Sequence, residues 1–184
     1  MADSRGPAES DAVDHFLSSG TEQAFSELFA IVYPQVLRYF SFRGFANELA
    51  EEMAQDVMVA VYRKAATLRE RGLFRAWLFK VARNTMRQHL RRARNDLNLL
   101  PLEEVAARER EASGTILEHA GFLDMISVLG IGERHVMSLR YIDGLSYEEI
   151  ATVLEIPLGT VKWKIFDSKS RICSHLRQPV PEHA

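Results

Sequence analysis

Apolar positions recur every three to four residues along most of this chain, and nowhere do they alternate with a period of two over a useful length. That pattern predicts helices and no sheet. A first helix is expected over about residues 11–18 and a second over 21–42, where Phe25, Leu28, Phe29, Val32, Val36, Leu37 and Phe40 share one spacing. Thr21 stands where a cap is needed, with Ala24 in place of the Glu of a full capping box. Pro34 falls inside this pattern and should kink or break it. A third helix is predicted over 47–66 and, after a turn at 69–72, a fourth over 73–94. Residues 95–114 mix Asn, Asp, Pro, Ser and Gly with charge, which reads as a linker with a short helix near 102–110. A second helical unit covers 115–176. Residues 1–10 and 177–184 have little to bury and read as disordered ends. The expected fold is all-α: two small helical domains joined by a flexible linker.

The second unit carries the sharpest local signals. Residues 132–144 read as a helix closed by a glycine, Gly144. Ser146 and Glu149 then form a capping box, with Ile150, Ala151, Val153 and Leu154 as the buried stripe behind it. After Glu155-Ile156-Pro157 a last helix runs over 158–176, Pro157 suiting its first turn. Leu158, Val161, Ile165, Ser168 and Ile172 share its inner face. Trp163, Phe166, Asp167 and Ser170 lie opposite, flanked by Lys162, Lys164, Lys169 and Arg171. This is a helix-turn-helix over 132–172 whose last helix has the layout of a recognition helix. The competing interpretation is a helical hairpin with a solvated basic face.

Charge changes the picture of the first unit. The net charge of the 184 residues is only -2, but residues 74–95 hold seven Lys or Arg and no acid. Lys80, Arg83, Arg87, Arg91 and Arg94 fall on one arc of the helical wheel, a positive rail about 20 Å long. Phe74, Trp77, Leu78, Val81, Ala82 and Thr85 are expected to face the core. A rail without acids suits phosphates, whereas a merely solvated face usually interleaves them. Asn84, at the rail's edge, suits either a base edge or a local polar contact. On the third helix Leu49, Met53, Val57, Ala60 and Val61 form one apolar face, and Glu51, Gln55, Met58 and Tyr62 form a second. Glu48, Glu51, Glu52 and Asp56 argue against deep burial, so a protein partner with basic groups is expected there.

Other chemistry finds little support. The single cysteine, Cys173, rules out an internal disulfide and a cysteine-rich zinc site, and reads as a helix residue at a core edge. The six histidines are scattered without metal-ligand spacing. No catalytic constellation is present, so no enzyme, cofactor or metal is expected. The first twenty residues are polar and acidic and lack an apolar signal-peptide core. No apolar run approaches the ~18 residues of a membrane span. A soluble, cytosolic protein in a reducing compartment is the expectation.

Two DNA-contacting units, a linker and an acidic docking helix in one chain resemble the extracytoplasmic-function sigma factors, the smallest class of the sigma-70 family. The resemblance rests on Ala50-Glu-Glu-Met-Ala-Gln-Asp-Val57, Phe74-Arg-Ala-Trp-Leu-Phe-Lys-Val-Ala-Arg-Asn84 and His89-Leu-Arg-Arg92, then on Leu139-Arg-Tyr-Ile-Asp-Gly-Leu-Ser-Tyr-Glu-Glu-Ile-Ala151 and Ile156-Pro-Leu-Gly-Thr-Val-Lys162. It covers about 21–172. It implies a region 2 domain at 11–94, a linker at 95–114 and a region 4 domain at 115–176. Glu51, Glu52, Gln55, Asp56, Met58 and Tyr62 would bind the β′ clamp helices of core RNA polymerase, with the β flap as a further contact. Arg71, Phe74, Trp77, Lys80, Arg83, Asn84, Arg87 and Arg91 would capture the −10 element, holding a flipped non-template base near the 69–73 turn. Ser146, Thr160, Lys162, Trp163, Lys164, Phe166, Asp167, Lys169 and Ser170 would read the −35 element. The linker would thread toward the active-site and RNA-exit channels. An anti-sigma factor, often membrane-bound, would hold the otherwise monomeric protein inactive.

Three positions depart from the family. Trp163 stands where a small residue, often Ser, is usual, and Asp167 where a basic residue or His is. Phosphates repel Asp167, so it would face a base edge such as a cytosine amino group, or pair with a neighbouring lysine. Trp163 and Phe166 suit either a thymine methyl or a protein surface in a closed, DNA-free state. Gly130-Ile-Gly132 replaces the usual proline, which should loosen the start of that helix. Two alternatives stand beside the resemblance: a homodimeric repressor or activator that binds duplex operators without polymerase, and a regulator acting through protein contacts alone with a degenerate helix-turn-helix.

Overall fold

The computed structural model describes residues 7–68, 70–97 and 120–177. The described residues form helices and turns without a strand, and the chain divides into two compact units at residues 116 and 117. The first unit holds α1 (Pro7–Ser19), α2 (Glu22–Ser41), α3 (Asn47–Lys64) and α4 (Phe74–Leu97), with single tight turns at Ala65–Thr67 and Arg71–Leu73. The second holds α5 (Ala120–Ile126), α6 (Ile131–Tyr141), α7 (Tyr147–Leu154) and α8 (Leu158–Leu176).

In the first unit α2 packs on α1 and α3, and α3 packs on α4. Leu28, Val32, Val36, Tyr39 and Phe40 of α2 meet Met53, Val57 and Val61 of α3 in a core with no solvent access. Thr21 Oγ1 accepts the Ala24 N–H at 3.3 Å, so the cap forms as its position implies. Gly20, at φ +63°, supplies the left-handed step between α1 and α2. The helix α2 runs unbroken through Pro34.

Three expectations are corrected here. Helix α1 starts at Pro7, although residues 1–10 read as disordered; residues 1–6 lie outside the described part. Its first turn is held down by Glu9, whose Oε2 accepts a hydrogen bond from Gln35 Nε2 at 2.9 Å and lies 3.7 Å from Arg75 Nη1. Helix α4 continues to Leu97, three residues into the expected linker. The rest of that linker and its short helix at 102–110 lie outside the described residues, as do residues 178–184. Finally, the core face of α4 is turned about a quarter of the way round the helix from the expected one. Arg75, Ala76, Phe79 and Leu90 join Phe74, Leu78 and Ala82 inside, while Trp77, Val81 and Thr85 are only half-buried.

The second unit is built on Leu139, Leu145, Ile150, Val153, Val161, Ile165 and Ile172. Helix α6 ends at Tyr141, before Gly144, which at φ +68° makes the turn that follows. Its start is anchored, against expectation: Glu133 Oε2 accepts the Gly130 N–H at 2.8 Å and replaces what a proline would have fixed. The capping box of α7 forms as expected, with Glu149 N–H donating to Ser146 Oγ at 3.1 Å and Ser146 N–H donating to Glu149 Oε2 at 2.7 Å. Glu155 enters the left-handed region at φ +58° to close the turn, which costs a non-glycine residue about 1 kcal/mol. Ser146→Ala is expected to destabilise this unit by about 1 kcal/mol. Unfolding followed by Trp163 fluorescence in a Trp77→Phe background checks it, and an unchanged midpoint would deny the cap its role.

Candidate nucleic-acid interface

Helix α8 presents the face that its phase implies. Val161, Ile165, Ser168 and Ile172 are buried, and Leu158 is half-buried beside them. On the outer side Lys162, Trp163, Phe166, Lys169 and Ser170 are exposed, and Thr160, Lys164 and Asp167 are half-buried. Cys173 is exposed on this helix rather than set at a core edge. Two of the flanking cations are engaged within the unit. Arg171 Nη1 donates to Glu133 Oε2 at 2.8 Å and Nη2 to the Val128 carbonyl at 3.1 Å. Lys169 Nζ sits 5.4 Å from the centroid of the Tyr141 ring. Hydrogen bonding to the Tyr141 side-chain oxygen, and then electrostatic attraction to it, hold the Lys169 ammonium above its ordinary pKa. Ser146 Oγ serves α7 as a cap acceptor, and Ser146 is half-buried.

On α4 the exposed arc carries Asn84, Arg87, Gln88 and Arg91, with Lys80, Arg83 and Trp77 half-buried at its edges. Arg94 lies on α4, but its side chain is outside the described part. Phe74, assigned to the −10 contact, is instead fully buried and packs against Trp77 at 5.9 Å between ring centroids. Arg71 is exposed and anchored on α1, donating to Asp14 Oδ1 at 3.2 Å and to Ser18 Oγ at 3.0 Å. The turn before α4 is therefore tied to α1, a link with no local mark in the sequence.

The acidic helix α3 exposes Glu51, Glu52, Gln55, Asp56 and Tyr62. Asp56 Oδ2 lies 2.9 Å from His89 Nε2 and joins α3 to α4. Met58, expected on the outer face, is buried and forms the floor of a groove of about 650 Å³ between α2 and α3. Its walls are Phe25, Phe29, Gln55, Val59, Tyr62 and Arg63. Val59 and Phe29 were not anticipated. The spacing Gln55, Val59, Tyr62 is helical, so an exposed stripe could have been read; Phe29 could not, because it belongs to another helix. The rings form a connected set, Phe25 to Tyr62 at 4.9 Å and Phe29 to Tyr33 at 4.8 Å.

An acid-free helix face and a capped helix-turn-helix are the features of a helical DNA-binding protein, and the first unit also carries an exposed apolar groove. Residues 28–95 match the family model of sigma-70 region 2, and residues 120–172 match that of sigma-70 region 4. The RNA polymerase sigma-H factor of Pseudomonas aeruginosa is 31% identical over 149 residues, covering 73% of this chain and 76% of that protein. The ECF RNA polymerase sigma-E factor of Haemophilus influenzae is 30% identical, with 66% and 71% covered. The chain belongs to the sigma-70 family, in its extracytoplasmic-function class. Its fold is similar to that of CnrH, solved in complex with the cytosolic domain of CnrY, at TM-score 0.64 and 23% identity over 94% of this chain and 99% of that one. The sigma factor RpoE of Bartonella quintana, solved with the anti-sigma factor NepR, gives TM-score 0.62 and 19% identity over 85% and 98%.

Proposed function

We propose that this sigma factor brings core RNA polymerase to its promoters by dividing the work among three helices. The groove between α2 and α3 docks the polymerase β′ clamp helices through Gln55, Val59 and Tyr62, with Glu51, Glu52 and Asp56 as acidic surroundings. The outer arc of α4 takes the opened −10 strand: Arg87 and Arg91 hold phosphates, Asn84 meets a base edge, and Trp77 offers a ring for stacking, the combination that single-stranded DNA requires. Helix α8 reads the −35 duplex. The observation that carries this division is the order of the two matched regions, each presenting an exposed face suited to its own form of DNA. Unstacking and flipping a base costs a few kcal/mol, which contacts of this kind offset.

The protein thus acts as a specificity subunit and works where the polymerase is. No described helix is long and apolar enough to cross a membrane. An anti-sigma partner belongs to the same proposal, supported by the two complexes of similar fold. Transcription with purified core polymerase across a genomic promoter library tests the reading. Start sites that require this protein are expected, and Val59→Glu should weaken retention of core polymerase at least about tenfold, as loss of a central interface contact does. Co-elution with polymerase but no dependent start site would sink the initiation role. Tight binding to duplex operators by a homodimer without polymerase would favour a conventional regulator instead.

A further inference from the structure

The outward line of α8 consists of Gly159, Trp163, Phe166 and Ser170, each about one turn from the next. Trp163 is 59% exposed and Phe166 75% exposed, although the inner face of the helix is already filled by Val161, Ile165 and Ile172. Two large rings therefore stand in water without a role in the core. Gly159 has no role there either. A Cβ at that position would meet nothing within 4 Å, and its backbone does not lie in the left-handed region. Glycine is a poorer helix former than alanine, by about 1 kcal/mol in a helix interior and less in the first turn where Gly159 stands, so helix propensity gives no reason for it. Glycine on the outward line, one turn before Trp163, lets an external surface come close to the backbone.

Charge decides which surface this is. Helix α8 carries four cations and one acid, Asp167. Arg171 is turned to Glu133 and Lys169 to Tyr141, whereas Lys162 and Lys164 bracket Trp163 at the amino-terminal half. A ring between two lysines fits a groove walled by phosphates better than it fits another protein. Asp167 is half-buried on the outer side of the helix, where its carboxylate can accept a hydrogen bond from outside the chain.

We infer that α8 reads thymine methyl groups. Trp163 and Phe166 pack on the C5 methyls of thymines in the −35 duplex, and Gly159 lets the start of the helix settle against the groove. Asp167 accepts a hydrogen bond from a cytosine N4 amino group on the same track. The major groove exposes these methyl and amino groups and admits a helix. The inference rests on the promoter-reading role proposed above and names its chemical target.

The test uses the full-length protein with core polymerase on a promoter taken from the library, with the −35 thymines either intact or replaced by deoxyuridine, which removes only the methyl groups. Wild-type initiation is expected to fall about fourfold per methyl lost, the weight of one buried methyl. Trp163→Ala/Phe166→Ala should initiate weakly on both templates and no longer distinguish them. Gly159→Ala should raise thermal stability while lowering initiation. Equal wild-type initiation on both templates would overturn the methyl contact and leave promoter reading intact. The same equality, with the double variant losing a protein complex instead, would assign the rings to a protein-covered face. Failure on the thymine template itself would remove the promoter role on which the inference stands.

Discussion

Arg75→Met is expected to cost the first unit about 3–5 kcal/mol, because it leaves the Glu9 carboxylate buried without its countercharge. The side chains of Arg75 and Glu9 are only 7% and 6% exposed, with Nη1 and Oε2 3.7 Å apart. Gln35 donates to the same carboxylate oxygen at 2.9 Å, so α1, α2 and α4 meet at one polar point within an apolar core. The pair itself contributes much less than its rupture costs, since both ions were desolvated to form it. The double variant Glu9→Gln/Arg75→Met should therefore recover much of the loss. Denaturant unfolding followed by Trp77 fluorescence, in a Trp163→Phe background, reads this unit by itself. Equal losses in the single and double variants would mean that Arg75 stabilises through packing of its aliphatic stem and not through charge.

Reversing two charges on the outer arc of α4 should have the largest effect on activity. Arg87→Glu/Arg91→Glu is expected to reduce open-complex formation by about a hundredfold or more at moderate salt, as two phosphate attractions become repulsions. The salt dependence should become shallower by about 0.7 per lost contact on a single strand. Both residues are exposed, so stability should change little, and retention of core polymerase, which depends on the α2–α3 groove, should stay as it was. Permanganate footprinting of the −10 region measures the opening. If the double variant opens promoters as the parent does, the DNA does not run along this arc of α4.

Much of the architecture follows from relations within a single turn of chain, and those relations are readable directly from the sequence. Thr21 caps α2, Ser146 and Glu149 close the box of α7, and the apolar phase of α8 places Trp163 and Phe166 outside. Each depends on residues no more than a few positions apart, where the choice of conformation is local. The family motifs likewise lie in continuous stretches, which is why the class of protein is evident before any coordinate.

The tertiary structure decided matters in which local pattern is ambiguous. Helix α4 has apolar residues around most of its circumference, so periodicity alone could not choose its buried arc; the arc that packs inward sets Arg75 beside Glu9, far away in sequence. That rotation left Trp77, otherwise a core position, half-buried at the edge of the outer arc. The same holds for the docking surface, where Met58 became the floor of a groove and Phe29 one of its walls because α2 lies against α3. The recognition helix shows both halves of the division. Its sequence determined which residues point outward, while the packing of α6 against α8 engaged Arg171 and Lys169 and left Trp163 between the lysines that remain. Helical phase is set by neighbours along the chain; the partner of a buried charge and the wall of a groove are set by neighbours in space.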